Sequence, residues 1–357
     1  MFKNYLRKVD KMKILGRLLG SLLAILLFMF VTPLQITYAA ATPPPYTTSW
    51  YMDTPNPTWL PNAAYDKGCA LGTHDLNTPG AQDNVVILLF GYPAYVNGLF
   101  GAMDWDGIGS GTHVFISATQ IKTTIQQFAR GYWQCTGPGD TTSQLFLAVG
   151  TNNDGGKKSV TYAQGRAWAA MVKNINDWVN AIRYASQIKI RAASDMELGL
   201  NSAKATRAWV DGYGSAYGSG LWLYDVGDAA GCPYPGNPNA KCGAGAYDDW
   251  TSEDVWYISW GKVVAYPIPE IYNTNGATAG EWYYLSLYSY AKPTRTSIYF
   301  PGTLTQFQSC AQAGGCAGVN NTPAQGWTQL WNIISSDPRT AQTSQRWSTD
   351  MKWHVNP

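Results

Sequence analysis

The chain has 357 residues, 25 basic and 23 acidic, and only 13% of it is charged, against about 25% in an ordinary globular domain. Six bases (Lys3, Arg7, Lys8, Lys11, Lys13, Arg17) and one acid (Asp10) fall in the first 41 residues, leaving a body with 19 bases and 22 acids, net −3. A mildly acidic body with no basic run longer than Lys157-Lys158 excludes an electrostatic nucleic-acid partner.

Residues 1–41 read as a secretory signal: a basic start, an apolar run at 18–31, and Ala39-Ala40-Ala41 as a cleavage site. That run is shorter than the roughly 20 residues a spanning helix needs, and no second one follows, so the mature chain is expected to have no membrane span. The expected location is secreted or cell-surface. Residues 42–83, rich in Pro, Asn, Asp and Tyr and without a sustained period, read as an irregular lead-in.

From there strands alternate with helices. The apolar run 85–90 is a buried strand stopped by Gly91-Tyr92-Pro93, and 113–116 is a short second strand followed by a helix at 119–132. A strand at 145–149 leads through a polar loop to a long helix at 162–184, with Trp168, Met171, Val172, Ile175, Trp178, Val179 and Ile182 at helical spacing. Strands at 188–193, 221–224, 263–266 and 297–300 follow, with helices at 202–213, 251–260, 278–288 and 324–334; Thr322-Pro323 starts the last. Residues 347–353 supply an eighth strand. This alternation means parallel βαβ units, and the count favours a single (β/α)8 TIM-like barrel over residues 84–357, irregular or incomplete in places, rather than a doubly wound sheet. No glycine-rich phosphate loop follows the first strand, so a nucleotide cofactor is not expected.

Six cysteines in an exported chain favour three disulfides. Local pairing, Cys232 with Cys242 and Cys310 with Cys316, leaves Cys69 with Cys135 and is the simplest of fifteen connectivities; a zinc site is the alternative, but no histidine accompanies these cysteines. His74, His113 and His354 stand apart, so no histidine metal motif exists and neither metal nor cofactor is expected.

Barrel enzymes carry their chemistry at the C-terminal ends of strands. Acids cluster there: Asp195 and Glu197 after 188–193, Asp225 and Asp228 after 221–224, and Glu270 after 263–266. Asp195 and Glu197, two apart on extended chain, share a side with Cβ atoms roughly 6–7 Å apart. Such proximity holds a proton on one carboxyl near neutral pH. Glu197 is the expected general acid, Asp195 its partner, with Glu270 and Asp225 as further catalytic candidates. Tyr92, Asp228, Trp222, Tyr272 and Tyr299 are the expected substrate contacts, since 16 Trp and 23 Tyr supply flat rings suited to sugar faces.

Asp195-Met196-Glu197 at the fourth strand resembles the Asp-x-Glu signature of retaining barrel glycoside hydrolases, the family 25 muramidases and, more distantly, the family 18 chitinases. The resemblance implies Glu197 as proton donor, Asp195 as its companion, Tyr272 as the match for the tyrosine after the sixth strand, and a polysaccharide or cell-wall glycan as substrate. A non-catalytic glycan-binding or structural surface protein is the alternative.

Overall fold

The computed structural model describes residues 41–105, 113–156, 159–216, 220–235, 240–243, 247 and 249–354. The segment expected to be an export signal lies outside the described residues, apart from Ala41.

Eight parallel strands form the sheet: β1 (Thr47–Tyr51), β2 (Asp83–Leu89), β6 (Gln144–Asn152), β7 (Ile188–Asp195), β8 (Leu223–Asp225), β9 (Ala265–Pro267), β10 (Gly302–Thr305) and β11 (Trp347–Trp353). They follow one another around the sheet in chain order, and β11 pairs with β1, so the ends of the chain meet within the wall. The join between β9 and β10 is a seam rather than a ladder: an isolated bridge pairs Glu270 with Leu304. There Leu304 N–H donates to Pro269 O and Ile271 N–H donates to Leu304 O, both at 2.9 Å. Pro267 and Pro269 have no N–H to extend the pairing. The fold is thus a nearly closed (β/α)8 barrel.

The continuous apolar run of β2 is explained by burial on both faces, as parallel barrels require. Val85, Ile87 and Leu89 point into the barrel with Phe146, Ala148, Ala193, Tyr224, Trp347 and Met351, while Val86, Leu88 and Phe90 face the helices. Ring contacts show that the first set fills the interior: Trp347 on β11 lies 4.8 Å from Phe146 on β6 and 6.0 Å from Tyr224 on β8, strands that it does not pair with.

The 42–83 stretch corrects the expected boundary. It contains β1 and an 18-residue helix, α1 (Leu60–Asn77), so the barrel begins at Thr47 and not at 84. Strand 113–116 is also corrected. Residues Phe115–Ser117 form β5, which pairs antiparallel with β4 (Leu99–Met103), itself paired with β3 (Tyr92–Val96), in a separate three-stranded sheet inserted after β2. The expected strand at 297–300 is extended but unpaired, and β10 starts at Gly302.

The helices are α2 (Ala118–Thr136), α3 (Tyr162–Ala181), α4 (Ala203–Gly214), α5 (Ser252–Trp256, continuing as a π turn to Gly261), α6 (Ala277–Ala291), α7 (Phe307–Gln312) and α8 (Pro323–Ser335). Capping boxes at Ser117, Thr251 and Thr322 start α2, α5 and α8. Helices α1 and α2 touch backbone to backbone: a Cβ on Gly131 would lie 2.1 Å from Tyr65 O, and one on Gly68 2.1 Å from Phe128 O. The Cys69–Cys135 disulfide ties the same pair, while Cys232–Cys242 and Cys310–Cys316 close local loops. Among the described residues, no helix is long and apolar enough to cross a membrane.

Candidate active site at the barrel mouth

Because all eight strands run parallel, their C-terminal ends share one mouth. Asp195 is the last residue of β7, Glu197 follows two residues on, and Glu270 sits in the bridge that closes the seam after β9. Their carboxylates converge: one oxygen from each lies within 4.8 Å of the others. Asp195 is 5% exposed and Glu270 6%. No hydroxyl or amide donor reaches the buried Oδ1 of Asp195.

The surroundings fix these acids in place. The Asn153 side chain, just past β6, grips the Glu197 peptide at both ends: Glu197 N–H donates to Asn153 Oδ1 at 3.1 Å, and Asn153 Nδ2 donates to Glu197 O at 3.0 Å and to Thr206 Oγ1 at 3.1 Å. Tyr272 Oη donates to Glu270 Oε1 at 2.7 Å. Tyr51, last in β1, hydrogen-bonds Tyr272, and its ring stacks on Trp353 at 4.4 Å and meets Trp105 edge-on at 5.2 Å. Burial, and then the charges of Glu197 and Asp228, push the Asp195 carboxyl well above the usual range. Burial and the Asp195 charge do the same to Glu270. Glu197 is pushed up to about 7 by burial and by Asp228 and Asp154. Three carboxyls so close in a dry site must share protons or a cation.

The other expected site residues lie elsewhere. Asp225 is fully buried, but in a three-residue strand whose Tyr224 points inward it points outward, accepting from Gly227 N–H at 3.1 Å and from Ser259 Oγ behind the wall. It is a structural carboxyl, held up at about 7 chiefly by burial, and not a member of the cluster. Asp228 stays near: its charge bears on all three clustered acids while it accepts from Leu198 N–H at 3.3 Å. Tyr92 starts β3 in the inserted sheet beside His113, where the charges of Asp154 and Asp104 bear on it. Trp222 and Tyr299 are corrected. They precede β8 and β10 and so lie at the opposite end, Trp222 under Arg191 at 4.7 Å and Tyr299 against Ser344 at 3.3 Å.

Two residues that matter carry little signal in the sequence. Tyr51 is hidden because β1 has no strand-like apolar pattern, and Asn153 sits unmarked in the polar triplet Asn152-Asn153-Asp154 at the end of β6. Only the position of that triplet at a strand end points to it.

No family model matches this chain, and no curated protein does. A solved structure to which it is similar is a sugar phosphate isomerase/epimerase from Parabacteroides distasonis ATCC 8503, at 11% identity over 85% of this chain and 100% of that one, with a TM-score of 0.31. At that score the likeness carries no functional weight. The expected kinship with family 25 muramidases and family 18 chitinases is corrected: no family model matches this chain. The geometry also departs from a glycosidase. Acids that cleave a glycosidic bond work as a pair standing on either side of it, whereas here a third carboxylate joins the pair, one oxygen of each lying within 4.8 Å of the others. The hydrolase assignment and its polysaccharide or cell-wall glycan partner fall with it.

Proposed function

We propose that Asp195, Glu197 and Glu270 hold one divalent cation at the barrel mouth, and that the protein is a cation-dependent enzyme of the isomerase or epimerase type. Its substrate is a small hydroxylated carbonyl compound, met outside the cell if residues 1–41 direct export. One observation carries this: three carboxylates with one oxygen of each within 4.8 Å of the others, one of the three, Asp195, having a buried Oδ1 that no hydroxyl or amide donor reaches. Two unit charges at that spacing repel by about 3.5 kcal/mol at an effective dielectric constant near 20. A dication turns each repulsion into attraction.

The donor set is all oxygen, which suits magnesium, calcium or manganese. At the centre of a triangle with sides of at most 4.8 Å, an ion sits no more than about 2.8 Å from each corner. That reach suits calcium, bound at about 2.3–2.6 Å, and magnesium asks for a closer approach of about 2.0–2.1 Å. A cation held by Asp195, Glu197 and Glu270 would polarise a carbonyl oxygen and the hydroxyl on the next carbon, acidifying the C–H of that carbon. Asp228, the acid left outside the ligand set, takes that proton. Returning it to the former carbonyl carbon, while the hydroxyl proton passes to the former carbonyl oxygen, isomerises the substrate, and returning it to the other face of the same carbon epimerises it. Asn153 positions Glu197, and the Tyr272 hydroxyl orients Glu270.

Solvent exchange tests the proposal. Aldoses and ketoses are incubated with the protein and magnesium or manganese in D2O and followed by proton NMR. Deuterium is expected at the carbon next to the carbonyl, at a rate abolished by chelator and at least 100-fold lower in Asp195→Asn. No exchange across the panel, or exchange indifferent to chelator and variant, refutes it.

A further inference from the structure

We propose that the outer wall of the barrel, where β1 and β11 pair, binds a free medium-chain fatty acid at a site separate from the mouth and independent of its chemistry. A parallel barrel buries the outward side chains of its strands under helices. On β2, β6 and β7 this holds: Val86, Leu88, Leu147, Val149 and Ile190 are all 0% exposed. The wall of β1 and β11 differs. Side chains alternate along a strand, so the inward Met351 sets Lys352 outward, and the inward Ser49 sets Thr48 and Trp50 outward. Thr48, Trp50 and Lys352 are only half-buried, and Tyr46, just before β1, is 51% exposed. Helix α1 flanks this face, and α7 touches it at Thr48, where Gln308 Nε2 donates to Thr48 Oγ1 at 3.2 Å. A slot of about 610 Å³ remains, within the roughly 300–1,000 Å³ of small-molecule sites. Pro45, Tyr46 and Trp50 line one side of it, and Lys67, Ala70 and Leu71 of α1 the other.

Shape and charge select the occupant. From Tyr46 to Trp50 the slot follows four residues of extended chain, about 13 Å, between prolyl, aromatic and aliphatic walls that suit a single acyl chain. Free positive charge gathers at one end. Lys67 Nζ lies 5.3 Å from the centre of the Trp50 ring, and Trp50 is the register partner of Lys352. Two ammonium groups thus flank one indole, and among the described residues neither makes an ion pair. Burial, and then the Lys352 charge, hold the Lys67 ammonium below its ordinary pKa, with the chain neighbour Asp66 alone opposing. At the other end the charges are already matched: Arg346 pairs with Asp83 at 2.6 Å, and His74 faces Asp75 at 3.4 Å. A carboxylate between Lys67 and Lys352 relieves their repulsion, and its chain runs down the slot past Leu71 and Pro45 to Tyr46.

Calorimetric titration with octanoate, 1-octanol and acetate tests the site. Octanoate is expected to bind once per chain with a Kd below about 1 mM, at least tenfold tighter than octanol, while acetate shows no saturation. Lys67→Met and Lys352→Met keep the apolar reach and remove one charge each; each is expected to weaken octanoate at least tenfold and to leave octanol unchanged. Ala70→Trp, a change at an exposed position of α1, fills the slot and is expected to abolish binding of both. Absence of saturable octanoate binding, equal affinity for octanol, or indifference to both lysine variants overturns the proposal. Binding that survives Ala70→Trp in the folded protein lies elsewhere and overturns it too. Sedimentation that shows a dimer broken by Ala70→Trp makes a second copy the occupant and likewise overturns it.

Discussion

Replacing Asn153 with alanine separates the support of the site from the site itself. The side chain is 2% exposed and makes three hydrogen bonds of 3.0–3.1 Å, two of them to the peptide groups of Glu197. At about 1 kcal/mol net for each, Asn153→Ala costs about 3 kcal/mol of stability. For a unit of this size that is a fall in Tm of roughly 6 °C, at about 2 °C per kcal/mol. The larger effect falls on the cation. Glu197 loses the clamp that aims it at Asp195 and Glu270, and loss of such a supporting contact weakens metal binding by about 10–100-fold. Urea denaturation measures the first quantity, and terbium luminescence sensitised by the nearby Tyr and Trp rings measures the second. A folded Asn153→Ala protein that binds terbium as tightly as the parent refutes the claim that Asn153 positions a ligand.

Further outcomes follow from other parts of the fold. Burial and the neighbouring Asp53 push Asp104 up to about 6, with backbone hydrogen bonds from Val114 and Thr54 opposing the shift. Between pH 4 and 6 the folded protein therefore holds a proton that the unfolded chain has released, so stability falls across that window and stays lower above it by about 3 kcal/mol. Asp104→Asn is expected to flatten this slope in urea midpoints taken at pH 4.5 and 7.5; an unchanged slope contradicts it. Removing Cys69–Cys135, which spans 66 residues, is expected to cost about 4 kcal/mol, against about 2 for Cys310–Cys316, which spans 6. Equal losses in paired Cys→Ala variants would show that loop length does not govern these bridges. Gly131→Ala forces a methyl against Tyr65 O and is expected to cost about 2–3 kcal/mol in urea denaturation, where Gly80→Ala meets no neighbouring atom and carries only the cost of its positive φ.

The architecture is legible where both faces of a strand are buried. The 85–90 run announces β2, and Trp347–Trp353 coincides with β11 to the residue. Strand β1 is not legible, because Thr47-Thr48-Ser49-Trp50-Tyr51 offers hydroxyls to the interior: Ser49 Oγ meets Thr349 Oγ1 at 2.7 Å where an apolar residue would have given a signal. Helix α1 is masked by Gly68 and Gly72, which weaken helical propensity but are what allow α2 to approach. At 297–300, Ile298 and Phe300 are buried and imitate a strand, yet Pro301 interrupts the chain and the ladder begins one residue later. At the site, strand-end position correctly brings Asp195, Glu197 and Glu270 together, whereas inward and outward directions in the three-residue β8 cannot be told apart from sequence, which is why Asp225 is misplaced. The three-residue Asp-x-Glu pattern is too short to carry a family, since the chemistry depends on where the third carboxylate falls in space.

The most direct test of the central claim is the stoichiometry of cation binding at the mouth. Terbium titrated into the protein is expected to give a sensitised emission that saturates at one ion per chain with a Kd of about 10⁻⁷–10⁻⁵ M. Calcium is expected to displace it, and Asp195→Asn to weaken it at least 100-fold while keeping the parent circular dichroism spectrum. No saturable emission, or equal affinity in folded Asp195→Asn, would contradict a cation held by Asp195, Glu197 and Glu270.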